Sequence, residues 1–247
     1  MQTLETRSAN TTCESCKLKE IGFLCHLTPA AAREFEAIKS SACYPSGSTL
    51  FLENEPAGGV FLLCSGKVKL SVSSSGGKTL ILQLARPGEI LGLSESMSGI
   101  PYEVSAEALH PSRVVFIRRQ DFARFVNQFP EVYQAVTRQL NTQYARACEQ
   151  LRTVALSTSA HEKVARLFLN WSSEETPTSE AAQIKIGLTH EQIAECVGST
   201  RETITRTLSD FKSKHLITLK GTTMTIPSRS ALERFVETDV PSPRSAP

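Results

Sequence analysis

The sequence predicts an α+β chain in three parts: a small antiparallel β sandwich or barrel, a long helix, and a C-terminal helix-turn-helix with a wing. Three observations carry this reading. Gly47, Gly58, Gly66, Gly76, Gly88 and Gly99 punctuate one stretch, with short apolar pieces between them. Short strands at roughly ten-residue spacing with turn residues between them are the mark of an all-β domain. From Tyr133 onward, apolar residues then recur in alternating steps of four and three. Finally, LTHEQIAECVGSTRETITRTLSDFKSKHLI (Leu188 to Ile217) reads as helix, glycine turn, helix.

The elements follow in order. Pro29 to Ser40 predicts a helix, capped by Thr28, with Pro29 suited to its first turn and Phe35 and Ile38 on one face. Strands are expected at Thr49–Leu52, Val60–Leu63, Val68–Val72, Thr79–Leu84 and Ser112–Ile117, the third alternating polar and apolar from Lys67 onward. Phe122 to Phe129 predicts a short helix stopped by Pro130. In the long helix that follows, Tyr133, Thr137, Leu140, Tyr144, Ala147, Leu151 and Val154 form a narrow seam. Such a seam favours a second copy of the helix, giving a homodimer; the other reading lays the helix on its own barrel. Ser159 to Trp171 predicts a further helix, and Ser172 to Glu180 a polar loop. The expected domains are a cysteine-rich segment (1–27), the barrel (28–129), the dimer helix (130–157), the winged helix-turn-helix (158–237) and a Pro-rich disordered tail (238–247).

Composition narrows the function. The chain has 247 residues, of which 40% are hydrophobic and 21% charged, with a net charge of +2. That is an ordinary globular balance, so any nucleic-acid surface must be a local patch. No apolar run approaches the ~20 residues of a membrane span, and the first residues lack a secretory pattern; a cytoplasmic location is expected. No Gly-rich phosphate loop or clustered catalytic set is present, which argues against an enzyme. The seven cysteines are unevenly spread: Cys13, Cys16 and Cys25 crowd the N-terminus, and Cys43, Cys64, Cys148 and Cys196 are scattered. In a reducing compartment such clustering points to metal or redox chemistry.

In the helix-turn-helix, Thr189 and Gln192 match a capping box, Ile193, Ala194 and Val197 form the buried stripe, and Gly198 supplies the turn. Ser199 is expected to cap the second helix and to sit with the DNA-binding residues, while Ile204 and Leu208 face inward. Arg201, Glu202, Thr205 and Arg206 then lie outward near its N-terminus, the end that meets base edges. Arginine suits guanine O6 and N7, and glutamate accepts from cytosine N4. Glu202, three residues after Ser199, could instead only close a capping box. Arg201, Arg206, Lys212, Lys214, Lys220 and Arg229 stand against Glu202 and Asp210, a basic patch for DNA phosphates. Ile217 to Ile226 reads as a two-stranded wing carrying Lys220. Cys196 is expected in the core, and His190 and His215 are expected to face solvent.

This order of parts resembles the cyclic-AMP receptor / fumarate-nitrate-reduction regulator (CRP/FNR) family over about Thr28 to Val236. The resemblance is most specific in VGSTRETITRTL and good in FLLCSGKVKL and PGEILGL. It implies a cyclic-nucleotide-binding-like jelly roll and a cytoplasmic homodimer on palindromic DNA, with RNA polymerase as a partner if the protein activates. Arg201, Glu202 and Arg206 match the recognition residues of the cyclic-AMP receptor branch, which implies TGTGA-like half-sites. Thr207 departs from an apolar norm. Cyclic-AMP binders also carry a Glu and an Arg-Ser pair; Glu89 is present, but Tyr102-Glu103 stands where the Arg is expected. A carboxylate there repels phosphate, which disfavours a cyclic nucleotide.

Cys13-x2-Cys16-x8-Cys25 resembles the ligand set of the oxygen-sensing branch, which holds a [4Fe-4S] cluster on four thiolates. Lys17 and Lys19 favour the thiolate form. The fourth cysteine of that branch appears here as Val115. Cys64, in a strand expected beside the Val115 strand, is the preferred fourth ligand, followed by Cys43 or a non-cysteine group. Zinc, with His26 as a further donor, and a plain thiol switch are the alternatives.

Overall fold

The structure is a computed structural model that describes residues 22–23, 27–175 and 179–238. They form two compact units, one made of the chain up to Val72 with Leu82–Ala147, the other of Ser73–Ile81 with the chain from Cys148. The first unit includes Gly22-Phe23 and then α1 (Pro29–Ile38), whose N-cap is Thr28, its side chain accepting from the Ala31 N–H. The helix stops short of Ser40 because Ser40–Tyr44 is already β1, paired antiparallel with the last barrel strand, β6 (Ser105–Arg118). Between them lie β2 (Thr49–Phe51), β3 (Gly59–Ser73), β4 (Thr79–Ala85), β5 (Ile90–Leu91) and the short α2 (Leu93–Ser98). The sheet runs β1-β6-β3-β4, with β2 added on β6 and β5 on β3.

Where two strands were expected, at Val60–Leu63 and Val68–Val72, there is one continuous strand, β3. Gly66 is not a turn. It sits at φ +97° inside β3, where the register against β6 shifts repeatedly. A Cβ on Gly66 would lie 2.2 Å from Ser112 Oγ and 2.7 Å from the Pro111 carbonyl oxygen, so the bulge brings two backbones too close for any side chain. Consecutive β3 residues feed opposite faces. Val60, Leu62 and Cys64 join a cluster with Phe35, Val115, Phe122 and Phe125. Phe61 and Leu63 join another with Phe51, Val68 and Tyr102. Both faces are covered, so this run reads as continuously apolar instead of alternating.

The chain then enters α3 (Arg119–Gln128) and, after Phe129, α4 (Pro130–Leu151). Val132, Ala135 and Val136 bury one stripe of α4 in the same cluster as Cys64, and Leu140 packs against it. The expected seam is therefore split. Tyr133, Tyr144 and Leu151 are 60%, 73% and 66% exposed, and Ala147 is exposed too. Leu140 instead lies half-buried against the barrel. Val154 does not continue the α-helical spacing, because Arg152–Leu156 is a π turn, which changes the residues per turn. Val154 is half-buried there, its Cγ1 within 3.6 Å of where a Gly198 Cβ would stand.

The second unit packs α5 (Ala160–Glu175) against α6 (His190–Val197), α7 (Arg201–Ser213), α8 (Arg229–Thr238) and β7 (Ala182–Lys185). The wing has three strands, not two: β7, β9 (Thr223–Ile226) and β8 (Thr218–Lys220), in that order. Buried Ala182, Ile184 and Ile186 alternate with exposed Gln183 and Lys185, a period-2 signal in the sequence that marks β7. The core of this unit includes Val164, Phe168, Ile193, Ile204, Phe211, Met224 and Leu232. No helix among the described residues is long and apolar enough to cross a membrane.

Candidate nucleic-acid interface

The helix-turn-helix is built by local chemistry. Thr189 caps α6 in a complete capping box, its side chain accepting from the Gln192 N–H while the Gln192 side chain accepts from the Thr189 N–H. Gly198 ends α6 at φ +62°, a left-handed turn that favours glycine. The cap of α7 is Thr200, accepting from the Thr203 N–H, and not Ser199 as expected. Ser199 belongs to the turn, where its own N–H donates to the Ala194 carbonyl at 3.0 Å. The change of cap matters for Glu202. Counted from Thr200, the capping-box position is Thr203, so Glu202 does not close a capping box with Ser199.

Ile204, Thr207, Leu208 and Phe211 bury one face of α7. Arg201, Glu202, Thr205 and Arg206 are exposed on the other. The Glu202 carboxyl is held below its ordinary range, first by its own backbone N–H at the helix start, then by the Thr200 hydroxyl, with Arg201 and Arg206 adding attraction. It is thus ionised, an acceptor flanked by two guanidinium groups. Lys220 is exposed at the end of β8, beside the Gly221 turn of the wing. Thr205 is placed differently from its neighbours: its hydroxyl donates to the Arg201 carbonyl at 2.9 Å and lies 2.9 Å from His190 Nδ1. His190 is therefore not simply solvent-facing; no pattern in the sequence marks this contact between α6 and α7. His215 is exposed and Cys196 is buried, as expected.

Of the proposed sensor residues, Cys13, Cys16, Cys25 and His26 lie outside the described residues. Cys64 is buried, and its Sγ donates to the Leu62 carbonyl at 3.8 Å. As expected, β3 lies beside the Val115 strand, with Leu62 opposite Val115, and Cys43 of β1 lies opposite Arg113 on the other side. Cys43 is exposed. Phe23, two residues before Cys25, shares a core cluster with Cys64 and Val115. Its N–H donates to the Gly88 carbonyl at 3.2 Å, and its ring lies 6.3 Å from that of Phe122. Among the described residues no group of three His, Cys, Asp or Glu side chains is placed to hold a metal.

A cleft of about 240 Å³ opens between Gly22-Phe23, Gly88-Glu89 and α4. Much of its polar lining is already engaged. Arg146 pairs with Glu89 at 2.6 Å, the Gln83 amide donates to Glu89 at 2.8 Å, and the Gln139 and Gln143 amides both donate to the Ile90 carbonyl. Tyr102 is buried, stacked on Phe51 at 4.1 Å, and its hydroxyl donates to the Gly59 carbonyl at 2.6 Å.

Comparison with known proteins places these features. Residues 42–129 match the family model of the cyclic nucleotide-binding domain, and residues 162–235 that of the Crp-like helix-turn-helix domain. The chain is 28% identical over 192 residues to a CRP-like cAMP-activated global transcriptional regulator of Mycobacterium tuberculosis, covering 77% of this chain and 85% of that protein. It is 26% identical over 211 residues to the transcriptional activator protein anr of Pseudomonas aeruginosa, covering 85% and 86%. Among solved structures, FixK2 from Bradyrhizobium japonicum shares the fold, with a TM-score of 0.70 at 20% identity, over 80% of this chain and 96% of that one.

Proposed function

The chain belongs to the CRP/FNR family of DNA-binding transcription regulators, and we propose that it acts as a homodimer that senses oxygen, nitric oxide or redox state through an N-terminal cysteine-ligated iron-sulfur cluster. It is a regulator and not an enzyme. The observation that carries the DNA-reading part is the exposed N-terminal face of α7, where Arg201, an ionised Glu202 and Arg206 stand over a buried apolar face. That set supports palindromic sites with TGTGA-like half-sites. RNA polymerase is the further partner if the protein activates.

The sensor reading is supported by the donor set and by one packing relation. Cys64 offers a soft thiol within the barrel, in the cluster that also receives Phe23, two residues from Cys25. Cys13, Cys16, Cys25 and Cys64 would hold a [4Fe-4S] cluster; when bound, it supplies a group whose integrity depends on oxygen or nitric oxide. This chain's own part is mechanical. Phe23 packs in one cluster with Ala135 and Val136 of α4, so displacing it changes how α4 seats on the barrel. A change in that seating biases two arrangements of the helix-turn-helix pair in the dimer. The Glu89–Arg146 pair and the two glutamine bonds to Ile90 already use polar groups of the cleft beside α4, which fits a sensor that does not take a cyclic nucleotide.

Anaerobic purification followed by iron and zinc analysis and a visible absorption spectrum tests this. Iron with a broad visible band that air bleaches is expected, lost in Cys16→Ser and kept in Cys196→Ser. Stoichiometric zinc without iron would move the site to zinc, and metal bound equally by Cys16→Ser would remove the site altogether.

A further inference from the structure

Thr205 is exposed on the DNA-reading face of α7, yet its hydroxyl is committed inside the protein. The oxygen lies 2.9 Å from the Arg201 carbonyl, to which it donates, and 2.9 Å from His190 Nδ1. A hydroxyl has one proton. With that proton on Arg201, the contact to His190 requires the imidazole to donate, so the ring carries a proton at Nδ1. Two partners, one from the helix's own backbone and one from α6, thus hold the oxygen toward the protein. What an exposed threonine held this way offers outward is its γ-methyl.

We propose that Thr205 reads a thymine in each half-site through methyl-to-methyl contact, and that His190 is the positioning residue that makes it do so. This rests on the reading of α7 as the helix that enters the major groove. In that groove only thymine presents a methyl, at C5, so an apolar contact there separates thymine from cytosine where a free hydroxyl would accept either base. Arg201, Glu202 and Arg206 read by charge and hydrogen bonding. Thr205 adds an apolar term on the same face, and the preceding helix sets it.

The test uses a duplex selected from random DNA by the intact protein, and copies of it in which each half-site thymine is replaced in turn by deoxyuridine, which removes only the methyl. The thymine-to-uracil affinity ratio is measured for each variant, so that changes in overall affinity cancel. The wild type should favour thymine about fourfold at one position, the worth of one buried methyl group. Thr205→Val, which keeps the methyl, should retain the ratio, and Thr205→Ser, which loses it, should bring the ratio to one. His190→Ala should lower the ratio, and His190→Asn, whose amide donates from a similar place, should restore it. A wild-type ratio of one at every thymine, or a full ratio in Thr205→Ser or His190→Ala, overturns the proposal. Failure of the underlying reading is seen separately: Arg206→Ala would then bind the selected duplex as tightly as wild type.

Discussion

Thr207 sits in the middle of α7 with its side chain fully buried and, among the described residues, no hydrogen-bond partner for its hydroxyl. A buried hydroxyl without a partner has lost its water for nothing in return. Thr207→Val keeps the shape and removes the oxygen, and should stabilise the DNA-binding unit by about 1 kcal/mol in chemical denaturation; a loss of stability would show that the hydroxyl is satisfied. The residues on the opposite face are proposed to act on DNA and not on folding. Arg206→Ala should cost ~1–3 kcal/mol on the matched site and relax one base pair. Lys220→Ala should weaken matched and random duplexes alike and reduce the salt dependence, since a phosphate contact carries no base information. Fluorescence anisotropy at several salt concentrations separates the two; equal effects of both substitutions on matched and random DNA would contradict the assignment of Arg206. Residue roles were legible where they depend on a turn, as at Gly198 and Thr189. They were not legible at Ser199 and His190, where a shift of one position in a cap, or a contact from another helix, decides the outcome.

Helix α4 carries buried and exposed apolar residues along its length. Its inner stripe is covered by the barrel, while Tyr133, Tyr144 and Leu151 stay exposed. A second copy of α4 is the proposed cover. Tyr144→Glu with Leu151→Glu should yield monomers in analytical ultracentrifugation, because charges would be buried in the interface. Leu140 is the wrong site for this test, since it also supports the barrel. A doubly substituted protein that still sediments as a dimer would refute the seam. Spacing makes the existence of this helix clear but not its end, because a π turn leaves no periodic signal; Val154 falls within that turn and is half-buried. The barrel shows a similar limit. Gly66 reads as turn punctuation, yet pairing of β3 with β6 on both sides of it makes it a bulge. Strand β7 is hard to read because the period-2 signal of Ala182–Lys185 is short; pairing with β9, far along the chain, is what secures it as a strand.

Across the whole molecule, several carboxylates are tuned by folding. Burial pushes the Glu162 carboxyl up, but the Thr158 N–H, Arg166 and the Thr158 hydroxyl outweigh it and hold it low. Ser230 and Ser228 lower Glu180, Lys214 lowers Asp210, and the Thr28 hydroxyl lowers Glu131. Each binds its proton less tightly folded than unfolded. Their stabilisation is complete above the ordinary carboxylate range, about 4, and is lost as pH falls through the depressed folded values. The melting temperature should therefore drop on acidification below about pH 4.5, and less so in Glu162→Gln; a flat profile would contradict these assignments.

In the proposed DNA reading, α7 enters the major groove and the dimer reads a palindrome. Selection of duplexes from random DNA by the intact protein tests it most directly. Enrichment of paired TGTGA-like half-sites, lost or relaxed in Arg206→Ala and in Arg201→Val, is the expected result. Enrichment of TTGAT-type half-sites that Arg201→Val leaves untouched, or of no palindrome at all, would contradict it.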